Sequence, residues 1–154
     1  MQCPFCEPQV SDVVFAKSVN FLAIYNIAPA FPGHSLIVPR QHITTFLDLS
    51  DERLSEMVIF ARKVAQLLKG IFYAEGLNLS LQDQEAAGQT LAHVHLHVVP
   101  RYKNDIPEPG DWYPKISSNY KEILDSQYRP KLDRNEMDMI VKRLREEAVK
   151  MELY

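Results

Sequence analysis

His93-Val94-His95-Leu96-His97-Val98-Val99 alternates imidazole and aliphatic side chains and then closes on two valines. Successive side chains of an extended strand point to opposite faces, so the three histidines share one face and Val94, Leu96 and Val98 share the other. The pattern predicts a strand buried on its aliphatic side, with chemistry on its imidazole side. Three of the five histidines in the chain fall in this one segment, and strict alternation of that kind is poorly explained by chance placement on a polar surface.

Two chemistries suit such a face. A metal could be shared by a neighbouring pair, but consecutive same-face residues stand roughly 6.6 Å apart and the outer two about 13 Å apart, too far for one ion to take all three. The alternative is nucleophilic attack on phosphorus. A neutral imidazole is a good nucleophile near neutral pH, and a phosphorylated imidazole hydrolyses readily, so one histidine can divide a displacement into two easier steps. Its neighbours then donate to phosphate oxygens, a division of labour that suits a central residue flanked on both sides.

Upstream of this strand, residues 77–82 alternate as another strand, followed by a polar loop through Gly88. Before them Leu54, Met57, Val58, Ala61, Val64, Ala65, Leu68 and Phe72 recur at three- and four-residue steps. That is an amphipathic helix, with Ser50 as its N-cap. Residues 13–17 and 21–25 predict two strands joined by a turn at Ser18, Val19 and Asn20. Residues 26–34 hold two prolines and a glycine and must form a shaped loop, after which residues 35–39 predict a third strand leading to His42. Downstream, residues 103–114 are polar and proline-rich. Residues 133–151 predict a second helix, with an apolar stripe of Met137, Ile140, Val141, Leu144, Ala148 and Met151 and a capping box of Asp133 and Glu136. The expected class is α+β.

The length of 154 residues suits a single domain spanning residues 1–154, and 46% hydrophobic with 24% charged residues is the composition of a chain with a packed core. With 17 Lys+Arg against 20 Asp+Glu, the net charge of -3 offers no basic surface for a nucleic-acid backbone. No apolar run is long enough to span a membrane and no secretory leader is present, so a cytoplasmic location is expected, with neither nucleic acid nor membrane as partner. Cys3 and Cys6 are the only cysteines. In a reducing compartment such a pair is half of a zinc site, a redox dithiol or two idle thiols, and the redox reading is weakest because no strand precedes Cys3. A structural zinc would need two further ligands, with histidines the natural candidates.

The run His93 to Val99 resembles the signature of the histidine triad family. Pro32-Gly33-His34, Leu81-Gln82-Asp83, Ala87-Gly88-Gln89-Thr90 and Pro100-Arg101 are similar to its fragile-histidine-triad branch, the diadenosine polyphosphate hydrolases. Cys3-Pro4-Phe5-Cys6 and Pro39-Arg40-Gln41-His42 are similar to zinc-bearing bacterial members. The resemblance covers residues 3–102, with an equivalence extending to the loop at 105–112. It implies an antiparallel sheet of about five strands packed against a long helix, and a homodimer. His95 would attack the α-phosphorus and His97 would donate to the phosphate, with His93 and Gln89 completing the catalytic set. Gln82, Gln89 and Thr90 would hold the α-phosphate or bridging oxygen, Asn26 the ribose, and Phe5, Ile24, Ile27 and Leu36 the base. Cys3, Cys6, His42 and His93 would hold a structural zinc that the chemical step does not require. His34 reads as a supporting residue outside this set.

The expected function is hydrolysis of a nucleoside α-phosphoric anhydride, a diadenosine polyphosphate first among candidates, through a nucleotidyl-histidine. Two alternatives stand beside it: a nucleotidyl transferase or phosphorylase, and a non-catalytic nucleotide-binding signalling protein. Related uridylyltransferases carry glutamine where this chain has His97, which favours water as the acceptor.

Overall fold

The computed structural model describes residues 3–107 and 129–154. The part of the proline-rich stretch beyond residue 107, with the Trp112 end of the 105–112 loop, lies outside them. The strands are β1 (Val14–Lys17), β2 (Phe21–Tyr25), β3 (Ser35–Pro39), β4 (Gly76–Leu81) and β5 (Leu96–Arg101). Helix α1 (Asp51–Phe72) lies between β3 and β4, and α2 (Arg134–Lys150) follows β5. The strands form one sheet in the order β1-β2-β3-β5-β4, every pairing antiparallel. This is the α+β arrangement expected from the sequence, and no helix among the described residues is long and apolar enough to cross a membrane.

The period-two alternation sorts the sheet into two faces. Phe21, Ala23, Tyr25, Ile37, Leu96 and Val98 join the main core beneath the helices, whereas Val14, Ile24, Leu36 and Val38 form a smaller cluster on the opposite face. At β1 the register shifts between Val14 and Ala16, so Phe15 and Ala16 both reach the main core despite being consecutive. Both helices start on the expected caps. Ser50 Oγ accepts from Arg53 N–H at 3.4 Å, and Asp133 Oδ1 accepts from Glu136 N–H at 2.9 Å. One carboxylate ties α1 to the first hairpin, since Glu56 accepts from Ser18 Oγ at 2.6 Å and from Asn20 N–H at 2.8 Å.

Three expectations need correction. Val58 is 63% exposed, and the buried stripe of α1 runs instead through Met57, Phe60, Ala61, Val64, Leu67, Leu68 and Ile71. Three- and four-residue steps admit two adjacent stripes about 100° apart, and Val58 belongs to the outer one. Met151, placed on the stripe of α2, lies just past its end and is exposed. The ladder of β5 begins at Leu96 rather than His93. Its partner β3 ends at Pro39, which has no N–H to give, and Val94 N–H donates to Ile43 O at 2.7 Å instead. His93 and His95 are thus held by contacts other than a strand ladder.

Candidate active site and metal centre

On the small-cluster face, register lines up a row of side chains across the sheet. Ser80 lies opposite His97, His97 opposite Leu36, Leu36 opposite Ile24 and Ile24 opposite Val14. The row therefore runs from a hydroxyl through an imidazole into an aliphatic wall. Phe5 packs against the wall, which brings together three of the four residues expected to contact a base; Ile27, the fourth, is 51% exposed on the neighbouring loop.

Each triad imidazole meets a partner that fixes where its proton sits. His93 Nε2 lies 2.9 Å from Pro39 O, and a carbonyl can only accept, so Nε2 carries the proton and Nδ1 keeps a lone pair. His95 Nδ1 lies 2.8 Å from His93 O, which puts the proton on Nδ1 and leaves the Nε2 lone pair available. His97 is set by a longer relay. Ala30 N–H donates to His34 Nδ1 at 3.0 Å, so His34 carries its proton on Nε2 and donates it to His97 Nδ1 at 2.9 Å. His97 then presents Nε2–H. The segment from His93 to His97, whose last two residues open β5, thus carries a metal-type lone pair, a nucleophile-type lone pair and a donor, in that order.

Burial favours the neutral form of all three rings and lowers their basicity from the usual 6.5. For His97 burial is reinforced by His95 and Arg129, and its value falls to about 3. His34, fully buried, moves strongly the same way for the same leading reason, with His97 and Arg129 adding to it. A neutral His95 retains the lone pair that attack on phosphorus requires.

The remaining expected residues are distributed unevenly. Gln82 follows β4 and donates from Nε2 at 2.6 Å to Oγ of Ser80, the residue facing His97. Gln89 spends its amide on the backbone, accepting from Gln84 N–H at 2.5 Å and donating to Thr44 O at 3.1 Å, and Thr90 is exposed. Asn26 accepts from Ala28 N–H at 2.9 Å and lies 3.4 Å from His34 Nε2, at the loop that carries the relay. Sequence reasoning passed over Ser80, which only strand register reveals, and Arg129, which is buried near His34 and His97 by way of the distant C-terminal segment. It also left His34 outside the site, although the Pro-Gly turn before it was the available signal.

Cys3, Cys6, His42 and His93 converge from the N-terminal turn, the segment after β3 and the triad. Their four ligand atoms all lie within 4.8 Å of one another. Cys3 Sγ is 3.3 Å from His93 Nδ1, Cys6 Sγ is 3.6 Å from the same atom, and Cys6 Sγ is 3.3 Å from His42 Nδ1. A tetrahedral ion with bonds of about 2.3 Å to sulfur and 2.0–2.1 Å to nitrogen needs S···N edges near 3.6 Å. The donor set and its spacing therefore fit a metal, and the His93 tautomer leaves the correct nitrogen free for it.

The profile of the HIT domain matches residues 7–104 of the chain. The bis(5'-nucleosyl)-tetraphosphatase [asymmetrical] of Schizosaccharomyces pombe is 34% identical over 118 residues, covering 77% of this chain and 65% of that protein. The bifunctional bis(5'-adenosyl)-triphosphatase/adenylylsulfatase FHIT of Arabidopsis thaliana is 31% identical over 137 residues, covering 89% of this chain and 74% of that one. Among solved structures, a Zn-bound histidine triad family protein from Mycobacterium smegmatis superposes with a TM-score of 0.71 at 29% identity, covering 99% of this chain and 96% of that chain. A domain profile matched over more than half the chain, and a relative above 30% identity spanned over most of its length, establish that the chain belongs to the histidine triad (HIT) family.

Proposed function

We propose that the chain, acting as a single domain over residues 1–154, hydrolyses a nucleoside α-phosphoric anhydride, with a diadenosine polyphosphate as the substrate class. The observation that carries this reading is the proton arrangement on two neighbouring rings: the His95 Nε2 lone pair stands beside His97, whose Nε2 carries a proton. His95 Nε2 attacks the α-phosphorus, the bond to the bridging oxygen breaks, and His97 hydrogen-bonds the phosphate as charge develops. Water then cleaves the nucleotidyl-histidine, releasing a nucleoside monophosphate and returning the lone pair to His95. The base lies against Phe5, Ile24, Ile27 and Leu36, Asn26 serves the ribose, and Gln82, Gln89 and Thr90 serve the phosphates. The names carried by the two curated relatives support this substrate class.

The metal is read as zinc, held by Cys3, Cys6, His42 and His93. When bound it supplies a cross-link between the N-terminal turn, the His42 segment and the triad, and it takes no part in bond breaking. Two free thiols suit a reducing cytoplasm. A homodimer is consistent with β4 lying at the sheet edge with Leu79 exposed, and with Val58 and Ile59 exposed on α1. His95→Ala is expected to lower turnover by several powers of ten while changing substrate affinity far less. Assay of a panel of dinucleoside polyphosphates and adenylyl sulfate, with and without inorganic phosphate, checks this: a nucleoside monophosphate product supports hydrolysis, and a phosphate-dependent nucleoside diphosphate would indicate phosphorolysis. Near-normal turnover by pure His95→Ala protein would end the covalent reading.

A further inference from the structure

The N-terminal turn does more than hold ligands. Phe5 stands between Cys3 and Cys6 in the short turn Pro4–Cys6, and its ring meets two triad imidazoles at once. The centroid is 5.6 Å from His93 at an interplanar angle of 84°, and 5.6 Å from His95 at 61°. The same ring packs on the cluster of Ile24 and Leu36 that walls the base site. One side chain thus touches a metal-type histidine, the nucleophile and the apolar wall.

The turn carrying Phe5 has little to hold it by itself. It contains no fully buried residue, lacks a side-chain cap, and is closed by Cys6 N–H donating to Cys3 O at 2.9 Å. A three-residue 3-10 turn is weak alone. Beyond the packing of Phe5 itself, it is held by the reach of the flanking thiols to His93 and His42. An ion shared by those atoms sets the Phe5 ring in place before nucleotide arrives; without it, the nucleotide must order the turn as it binds.

We propose that Phe5 couples metal occupancy at Cys3, Cys6, His42 and His93 to nucleotide binding, so that each ligand tightens the other. The inference rests on the reading that the His95 face binds a nucleotide, and it adds a regulator to that site: metal supply sets substrate affinity, and bound nucleotide retains the metal. Reciprocity follows from linkage, because any factor by which metal improves nucleotide affinity must also appear in metal affinity.

The test uses the full chain and two binding measurements. Adenosine monophosphate affinity is measured by calorimetry with and without one equivalent of zinc, and zinc release to excess chelator is timed with and without saturating adenosine monophosphate. The second measurement starts from the zinc-loaded protein and so does not depend on the metal-free form staying folded. In the wild type zinc should raise adenosine monophosphate affinity roughly tenfold, and bound nucleotide should slow zinc release. In Phe5→Ala, and in Phe5→Leu as the milder change, both factors should fall toward one. Zinc release indifferent to nucleotide in the wild type, or coupling undiminished in both Phe5 variants, overturns the proposal and leaves the nucleotide site standing. Absence of zinc binding does the same. Failure of zinc-loaded wild type to bind adenosine monophosphate at all would overturn the nucleotide reading itself, and the coupling with it.

Discussion

A histidine has two nitrogens and, when neutral, one proton, so its role depends on what faces the other nitrogen. Here three carbonyl or amide partners make that choice for the triad: Pro39 O for His93, His93 O for His95, and Ala30 N–H acting through His34 for His97. The alternation of histidines, readable in the sequence, places the rings on one face but says nothing about their protons, because the deciding contacts are with residues 30, 34 and 39 and with the backbone carbonyl of His93, none of which alternation specifies. His34 is accordingly a positioning residue. Replacing it by leucine should leave His97 sampling both tautomers and lower turnover by roughly ten- to a hundredfold, less than the 10²–10⁴-fold a general acid itself contributes. The ring nitrogen shifts of His97 in NMR spectra check the cause: a single Nε2–H tautomer in the wild type should become a mixture in His34→Leu. An unchanged tautomer would show that His34 only fills space.

At the scale of elements, the loop at residues 26–34 is pressed between α1 and β5. Gly33 has a φ of +87°, and a Cβ there would meet Pro100 Cγ at 2.8 Å and Phe72 Cδ2 at 2.9 Å. Its N–H donates to Tyr25 Oη at 3.0 Å, and Tyr102 Oη donates to Pro32 O at 2.8 Å. Gly33→Ala combines a left-handed backbone with overpacking, so a loss of about 2–4 kcal/mol is expected. Denaturant unfolding measures it, with a turnover loss accompanying it because His34 is the next residue. The Pro-Gly-His motif was legible as a shaped loop, and Ser50 and Asp133 as helix caps. Illegible were the stripe of α1 that faces inward, decided by packing rather than period, and the engagement of Gln89 with backbone at residues 44 and 84, decided by how a loop closes. Ser80 opposite His97 needed register, which no single strand encodes.

For the molecule as a whole, buried neutral histidines have a cost in acid. His97 falls from 6.5 to about 3 on folding, and His34 moves in the same direction. Between those values the unfolded chain binds the proton that the folded chain refuses, so stability falls as pH falls from near 6.5 toward 3. The contribution of His97 should approach about 1.4 kcal/mol per pH unit within that window. Urea unfolding at pH 6 and pH 4.5 checks it: His97→Gln should show a shallower loss than the wild type, and because both retain the zinc ligands, acid release of metal cancels in the comparison. Equal slopes would mean that His97 takes up its proton in the folded state. The five-strand antiparallel plan was legible from strand and helix order together with the family motifs. Arg129, which completes the electrostatics at His97, was not, since its approach depends on the path of the C-terminal segment.

That segment also has a consequence in time. Helix α2 lies against β1, where Arg145 donates to Val14 O at 2.7 Å and Lys17 N–H donates to Leu153 O at 2.6 Å. Met137, Val141, Leu144 and Ala148 fill the same core as Phe15. A ribosome makes residues 14–17 long before it makes residues 134–153, so the first strand emerges without the helix that covers it. The first hairpin can pair β1 with β2 early, but the apolar side of β1 waits for α2, and the nascent polypeptide carries it uncovered until residues 134–153 have been made.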